Sequence, residues 1–169
     1  RVGPFWYYAG DASTPGARAL MEGLAPYVFL MAPLASWLAL AQEVFGERLK
    51  SLPRYSFSAA RLDAGHLQGL LGRSPFRARV VPLDAAIVTR ALAEPEGFLD
   101  VADFDSVADF VERAIGYTVL EGGRIVGVAY SSLVCSQGIE VSVVVEERYR
   151  RQGIATALCA RLLLEALER

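Results

Sequence analysis

Residues 138–169 read GIEVSVVVEERYRRQGIATALCARLLLEALER, and this stretch is the strongest indication of the fold. Apolar and mostly β-branched residues alternate along 138–145, which predicts a strand whose buried face is formed by Ile139, Val141, Val143 and Val145. From residue 154 to 169 the apolar residues recur at helical spacing, which predicts an amphipathic helix. Its expected apolar face consists of Ala155, Cys159, Leu162, Leu163, Ala166 and Leu167.

The loop between this strand and this helix carries a glycine and two adjacent arginines. Backbone N–H groups at a helix start have no intrahelical partner, and the helix dipole favours an anion there. Gly153 lacks the Cβ that would keep a phosphate away from the backbone, and Arg150 and Arg151 add positive charge. The loop therefore predicts a phosphate or pyrophosphate site. An ordinary solvated strand-to-helix turn is the alternative for these residues taken alone.

The loop resembles the acetyl-CoA loop of the GNAT superfamily of N-acyltransferases, whose pattern is Arg/Gln-x-x-Gly-x-Gly/Ala. Arg150, Gly153 and Ala155 fill the three defined positions. The resemblance implies acetyl-CoA as co-substrate, without a metal, and an N-acetyltransferase that modifies a primary amine. It also implies two sets of cofactor-binding residues. Pyrophosphate would be held by Arg150, Arg151, Gln152, Gly153, Ile154 and Ala155, and pantetheine and the thioester carbonyl would meet the N–H groups of Val143, Val144 and Val145.

The order of elements over residues 76–169 supports the same resemblance. A strand at 78–83 leads to a helix that Asp84 can cap, and Ser106 can cap a second helix. Strands at 117–121 and 124–134 are joined by Gly122-Gly123, a strong hairpin signal. We therefore expect an α/β protein of the GNAT-like α+β type, with a mixed, largely antiparallel sheet and flanking helices.

Residues 1–73 predict a separate small α/β domain, with the boundary at 72–75. Strands are expected at 5–8, 27–31 and 54–58, and helices at 15–24, 33–49 and 64–71. In the GNAT branch that this order resembles, such a domain covers the acceptor side or serves in interaction. Trp6, Tyr7 and Tyr8 could line an acceptor pocket, or form core on one face and a partner surface on the other.

Composition narrows the remaining function classes. The 169 residues carry a net charge of −2 with interspersed acids and bases, so no nucleic-acid surface is expected. Cys135, Cys159 and the single His66 argue against a zinc site or a histidine triad, and two lone cysteines suit the cytoplasm. The uncharged residues 23–41 could span a bilayer. Prolines divide them and their helical stripe continues into a charged segment, so we expect no membrane span.

Glu140 is the candidate general base. It stands ten residues before Arg150, the spacing at which histone-type members of the superfamily carry a glutamate base. A carboxylate there could take a proton from an ammonium substrate, directly or through a water. The alternative is a solvent-facing charge on a half-exposed strand. Glu146 and Glu147 are expected to be solvated residues near the strand end.

The resemblance also implies a further strand, helix and hairpin after the last helix. We therefore expect the sequence to be a fragment and the general acid to lie beyond Arg169. Tyr117, Tyr130 and Tyr149 are substitutes for that acid, with packing as their alternative role. The acceptor is expected to be a small-molecule or peptide amine, and a homodimer is left open. A non-catalytic domain that binds acyl-CoA as a sensor or structural element is the alternative function.

Overall fold

The structure is a computed structural model that describes residues 5–32, 34–53, 55, 57–94, 97–136 and 138–169. The chain divides into two compact units, Arg1–Phe57 and Ser58–Arg169. Each unit has its own buried core, and the two are described separately.

The first unit contains a parallel pair of short strands and two helices. Its elements in chain order are β1 (Phe5–Tyr7), α1 (Pro15–Glu22), β2 (Phe29–Met31) and α2 (Ala35–Phe45), and a 3₁₀ turn follows at Gly46–Arg48. Strands β1 and β2 pair in parallel, and Thr14 caps α1 by accepting a bond from the Ala17 N–H. The core of this unit consists of Tyr8, Ala12, Ala17, Met21, Trp37, Leu40 and Ala41.

The strand expected at 27–31 is shorter and less buried than predicted. It begins at Phe29, because Tyr27 has a positive φ of 62° and a fully exposed side chain. Helix α2 buries Trp37, Leu40 and Ala41, whereas Leu38 is exposed. Of the predicted elements, Pro33 and positions 54 and 56 lie outside the described residues. Residues 55, 57 and 58 are not in a strand.

The second unit is built on a four-stranded sheet. Its elements are α3 (Ala64–Arg73), β3 (Val80–Pro82), α4 (Ala85–Ala93), α5 (Val107–Arg113), β4 (Gly116–Glu121), β5 (Arg124–Cys135), β6 (Gly138–Val145) and α6 (Ile154–Glu168). The strand order is β3-β4-β5-β6, and every neighbouring pair is antiparallel. This arrangement confirms the predicted α/β fold with a largely antiparallel sheet and flanking helices.

Local sequence signals for caps and turns are confirmed in this unit. Asp84 accepts from the Ile87 N–H at 2.8 Å and so caps α4. Ser106 caps α5 by accepting from the Asp109 N–H at 3.1 Å. The hairpin glycines that join β4 to β5 have φ values of 55° and 80°, which a side chain at either position would strain.

The two faces of the sheet carry separate cores. Val128 and Tyr130 of β5 pack with α4 and α5 in one core, and Val126 and Ala129 pack with α6 in the other. A register shift between Val119 and Leu120 lies along the β4–β5 pair. The sheet therefore separates an α4/α5 side from an α6 side, and these two names are used below.

Helix α6 is buried on two sides, which differs from the expected single apolar face. Leu158 and Leu162 pack against the sheet, while Ala160 and Leu164 pack with Leu67 of α3. Because α3 packs on α6, residues 58–73 lie with the second unit. The structural division at 57/58 thus precedes the boundary predicted at 72–75.

The uncharged stretch at 23–41 contributes strand β2 and the first part of α2. Among the helices of the described residues, none combines the length and apolar character that crossing a membrane requires.

Candidate functional site

The loop that joins β6 to α6 has a backbone that depends on its glycine. A 3₁₀ turn at Glu147–Tyr149 is followed by two positive φ values, 63° at Arg151 and 87° at Gly153. Among the described residues, no atom lies within 4 Å of a Cβ built on Gly153. Glycine is therefore favoured at 153 by backbone conformation, and the space beside it is open.

Helix α6 begins without a side-chain cap. Its N-cap is Gly153 in the left-handed region, and the first helical bond runs from the Ala157 N–H to the Gly153 carbonyl at 3.0 Å. Ile154 is fully buried against the sheet and fixes the position of this helix start. Gly127 of β5 permits the close approach, since a Cβ there would lie 3.0 Å from the Ile154 Cγ2.

Side chains of the loop bond back to its own main chain. Arg150 Nε donates to the Val145 carbonyl at 3.1 Å, and Gln152 Nε2 donates to the Arg148 carbonyl at 3.1 Å. Arg150, Arg151 and Gln152 are all exposed. These bonds hold Arg150 against the end of β6 and Gln152 against the 3₁₀ turn.

The register of β6 separates the three valines that were expected to act together. Glu146 N–H donates to the Val126 carbonyl, and hydrogen-bonded positions alternate along an antiparallel ladder. The amide of Val144 therefore faces β5, whereas the N–H and C=O groups of Val143 and Val145 point away from it. In the described part of the chain, β6 is the edge strand on that side of the sheet.

The expected buried face of β6 is only partly buried. Ile139 and Val145 at its ends pack against the α6-side core. Val141 and Val143 between them retain exposed fractions of 39% and 44%. An apolar strip at the centre of the strand thus adjoins the outward-facing amides, where it was expected to be core.

Glu140 lies on the opposite face of β6, with Ser142 and Val144. Val144 packs against the α4/α5-side core, so the alternation of the strand places Glu140 on that side. The residue is half-buried, and its main-chain carbonyl accepts a bond from Ser132 Oγ at 3.3 Å. Ser142 Oγ donates to Ser132 Oγ at 3.1 Å and extends this polar row along the strand pair.

The comparisons with known proteins assign a family. The sequence model of the GNAT acetyltransferase family matches residues 1–169. The chain belongs to this family. A crystal structure of a GCN5-related N-acetyltransferase-like protein from Streptococcus suis is similar, with 28% identity and a TM-score of 0.81. The match covers 98% of this chain and 66% of that one, so the chain spans just under two thirds of that protein's length. No curated protein matches.

Within this GNAT chain, the predicted site residues fall into two groups. Residues 150–155 and the outward amides of Val143 and Val145 meet at the junction of β6 and α6. Glu140 lies on the same strand, five residues before Val145, with its side chain on the other face of the sheet. The strand therefore connects the candidate cofactor loop with the candidate base.

Two of the tyrosines considered as acids have hydroxyl groups bonded within the fold. Tyr117 donates to Glu165, and burial together with this contact raises the pKa of Tyr117 to about 12. Burial raises the pKa of Glu165, but the bonds from Tyr117 and Arg169 outweigh it and leave that pKa below its usual value. Tyr130 Oη accepts from the Asp100 N–H at 2.9 Å, and Tyr149 packs against the α6-side core.

The environment of one residue at this junction differs from the one that the sequence predicted. Glu146 was expected to be solvated, but its side chain is only 16% exposed. It pairs with Arg148 of the loop and with Arg124, which begins β5. The second partner lies on another strand, so no local pattern in the sequence could have shown this burial.

Trp6 and Tyr8 contribute to the core of the first unit, while Tyr7 between them is exposed. This is the alternation of a strand with one face packed on a core. Over the described residues, no group of three or more His, Cys, Asp or Glu side chains has the arrangement of a metal site.

Proposed function

We propose that this GNAT chain is an N-acetyltransferase that moves the acetyl group of acetyl-CoA to a primary amine. The observation that carries the proposal is the start of α6, where Gly153 provides no side-chain cap for the first N–H groups of the helix. An uncapped helix start beside Arg150 and Arg151 suits a pyrophosphate.

The residues present fit this co-substrate. Gln152 to Ala155 would offer main-chain N–H groups to the pyrophosphate, and the open space at Gly153 lets a phosphate approach the backbone. Val143 and Val145 would direct their N–H groups towards pantetheine and the thioester carbonyl, in an oxyanion-hole role. Acetyl-CoA supplies an activated acetyl group as a thioester.

Glu140 would act as the general base. Its carboxylate would take a proton from the ammonium form of the acceptor, directly or through a water, and so produce the nucleophilic amine. The half-buried position and the alternation of β6 support this role. No tyrosine is assigned as the acid, because Tyr117 and Tyr130 bond elsewhere and Tyr149 packs in the core.

Titration calorimetry of the full-length protein with CoA and acetyl-CoA tests the first half of this function. Micromolar binding by the parent and weakened binding by Gly153→Val is the expected result. Thiol release from acetyl-CoA across a panel of small-molecule and peptide amines tests the second half. Binding without amine-dependent thiol release would favour the acyl-CoA sensor, and absence of binding would contradict both functions.

A further inference from the structure

Glu146 is a partly buried acid at the start of the candidate cofactor loop. Its Oε1 lies 2.6 Å from Arg148 Nε and 3.8 Å from an Arg124 guanidinium nitrogen. Its Oε2 is buried and has no hydrogen-bond partner within the described part of the chain. Burial of a carboxylate is costly, so this residue needs its two arginines.

The main chain of Glu146 joins the same elements as its side chain. The N–H donates to the Val126 carbonyl of β5, and the carbonyl accepts from the Tyr149 N–H at 2.9 Å. The Arg148 guanidinium lies 5.0 Å from the centre of the Tyr149 ring, which packs against the α6-side core. Strand β5, the 3₁₀ turn and the beginning of the loop are thereby tied to one residue.

The charge of Glu146 opposes an anion nearby. A carboxylate four residues before Arg150 repels a pyrophosphate through space, so charge alone makes binding weaker. Any contribution to binding must therefore come from geometry. The loop needs such support, because the positive φ of Arg151, a residue with a side chain, persists only when the surrounding structure holds it.

We propose that Glu146 is a positioning residue for the acetyl-CoA loop. It joins Arg148 of the 3₁₀ turn to Arg124 of β5, and the turn sets the course of residues 150–153 towards the start of α6. This inference rests on the proposed function, since it concerns the affinity of the same loop for CoA. Glu146 itself touches no substrate in this scheme.

Charge-neutralising variants at adjacent positions separate geometry from electrostatics. Glu146→Gln and Glu147→Gln remove the same charge, but the Glu147 side chain is exposed. We expect Glu146→Gln to weaken CoA binding about three- to tenfold, which is the range of the net contribution of one ordinary hydrogen bond. Glu147→Gln should bind CoA as tightly as the parent or slightly more tightly. The KM for acetyl-CoA should rise in Glu146→Gln while kcat stays unchanged.

A double-mutant cycle with Arg148→Gln provides the second measurement. If Glu146 acts through Arg148, the double variant should bind CoA no more weakly than the weaker single variant. Additive losses, or Glu146→Gln binding CoA as tightly as the parent, would overturn the inference. Should Glu146→Gln fail to fold in thermal unfolding, Arg148→Gln alone must show the rise in KM without a fall in kcat. Absence of CoA binding by the parent would instead contradict the proposed function, and this inference with it.

Discussion

Two strands of the same sheet are each followed by an α-helix of the same unit, and the starts of these two helices are built differently. After β3, Asp84 accepts from the Ile87 N–H and satisfies a donor of α4 within the chain. After β6, Gly153 stands at the corresponding position and offers no side chain to α6. The first junction uses the helix start to stabilise the fold, and the second leaves it available to a ligand.

The uncapped start of α6 is an exception among the described α-helices of this unit. Helices α3, α4 and α5 each begin at a side chain that accepts from the first turn, namely Asp63, Asp84 and Ser106. Glycine in place of such a capping side chain costs only about a few tenths of a kcal/mol, so the start of α6 is slightly less stable than a start with a side-chain cap. Helix α6 tolerates the cost because it is buried against both the sheet and α3.

The largest expected effect is a loss of turnover in Glu140→Gln. This variant removes the candidate base on β6 and leaves the candidate cofactor loop at the end of that strand intact. Removal of a general base costs about 10²–10⁴ in rate, so Glu140→Gln should lower turnover at least about a hundredfold. Affinity for acetyl-CoA should stay nearly unchanged, because proton transfer does not hold the co-substrate. Steady-state kinetics and calorimetry on the same preparations provide both quantities.

The pH profile of Glu140→Gln provides a check on this assignment. Part of the lost turnover should return at high pH, where more of the acceptor amine is already neutral. Turnover within about threefold of the parent at neutral pH would mean that Glu140 is a surface charge, given the range expected for a base.

A side chain on Gly153 should produce the next largest effect. Gly153→Val places a β-branched residue at a φ of 87°, which costs about 1–2 kcal/mol, and its side chain fills the space expected for a phosphate. CoA binding should weaken by about tenfold or more by calorimetry. Gly123→Val is the matched control, because Gly123 has a φ of 80° and equally open space but lies in the β4–β5 hairpin.

The control should lose stability and keep its affinity for CoA. If Gly153→Val binds CoA as well as the parent, the junction is not the cofactor site. Equal loss of affinity in both variants would mean that general backbone strain, and not obstruction of a phosphate site, weakens CoA binding.

The contrast between the junctions also shows what the sequence can predict. Asp84 and the Gly122-Gly123 turn act on residues within a few positions, so their roles follow from local pattern. The positive φ of Gly153 is likewise a conformation that its residue type favours. The burial of Glu146 depends on Arg124 of another strand, and the orientation of the Val143 amide depends on pairing with β5. Such long-range contacts leave no local signal.

The exposed valines of β6 show the converse limit of prediction from sequence, because these residues were predicted to be buried and are exposed. Alternation predicted Val141 and Val143 as core, yet on this face of the strand only Ile139 and Val145 at its ends pack against the α6-side core. A period of two establishes which residues share a face. It does not establish whether a neighbouring element covers that face.

A smaller effect should appear at the capped junction. Asp84→Ala should lower the free energy of unfolding by about 1 kcal/mol, because the Ile87 N–H loses its acceptor. Affinity for CoA should not change, since α4 lies on the other side of the sheet from α6. Urea unfolding and calorimetry measure the two quantities, and weaker CoA binding in this variant would contradict the division of roles between the junctions.

The last expected effect is on stability at alkaline pH and concerns the far end of α6, where Tyr117 donates to Glu165. The pKa of Tyr117 is raised from 10.0 to about 12 in the folded protein, so between these values the unfolded chain loses a proton that the folded chain keeps. The free energy of unfolding should therefore fall as pH rises from 10 towards 12. Tyr117→Phe should be less stable than the parent at neutral pH and should show a shallower fall. Tyr27→Phe is the control, because the Tyr27 side chain is fully exposed. Urea unfolding from pH 9 to 11.5 measures these slopes. An equal slope in Tyr117→Phe and the parent would mean that this hydrogen bond does not hold the end of α6.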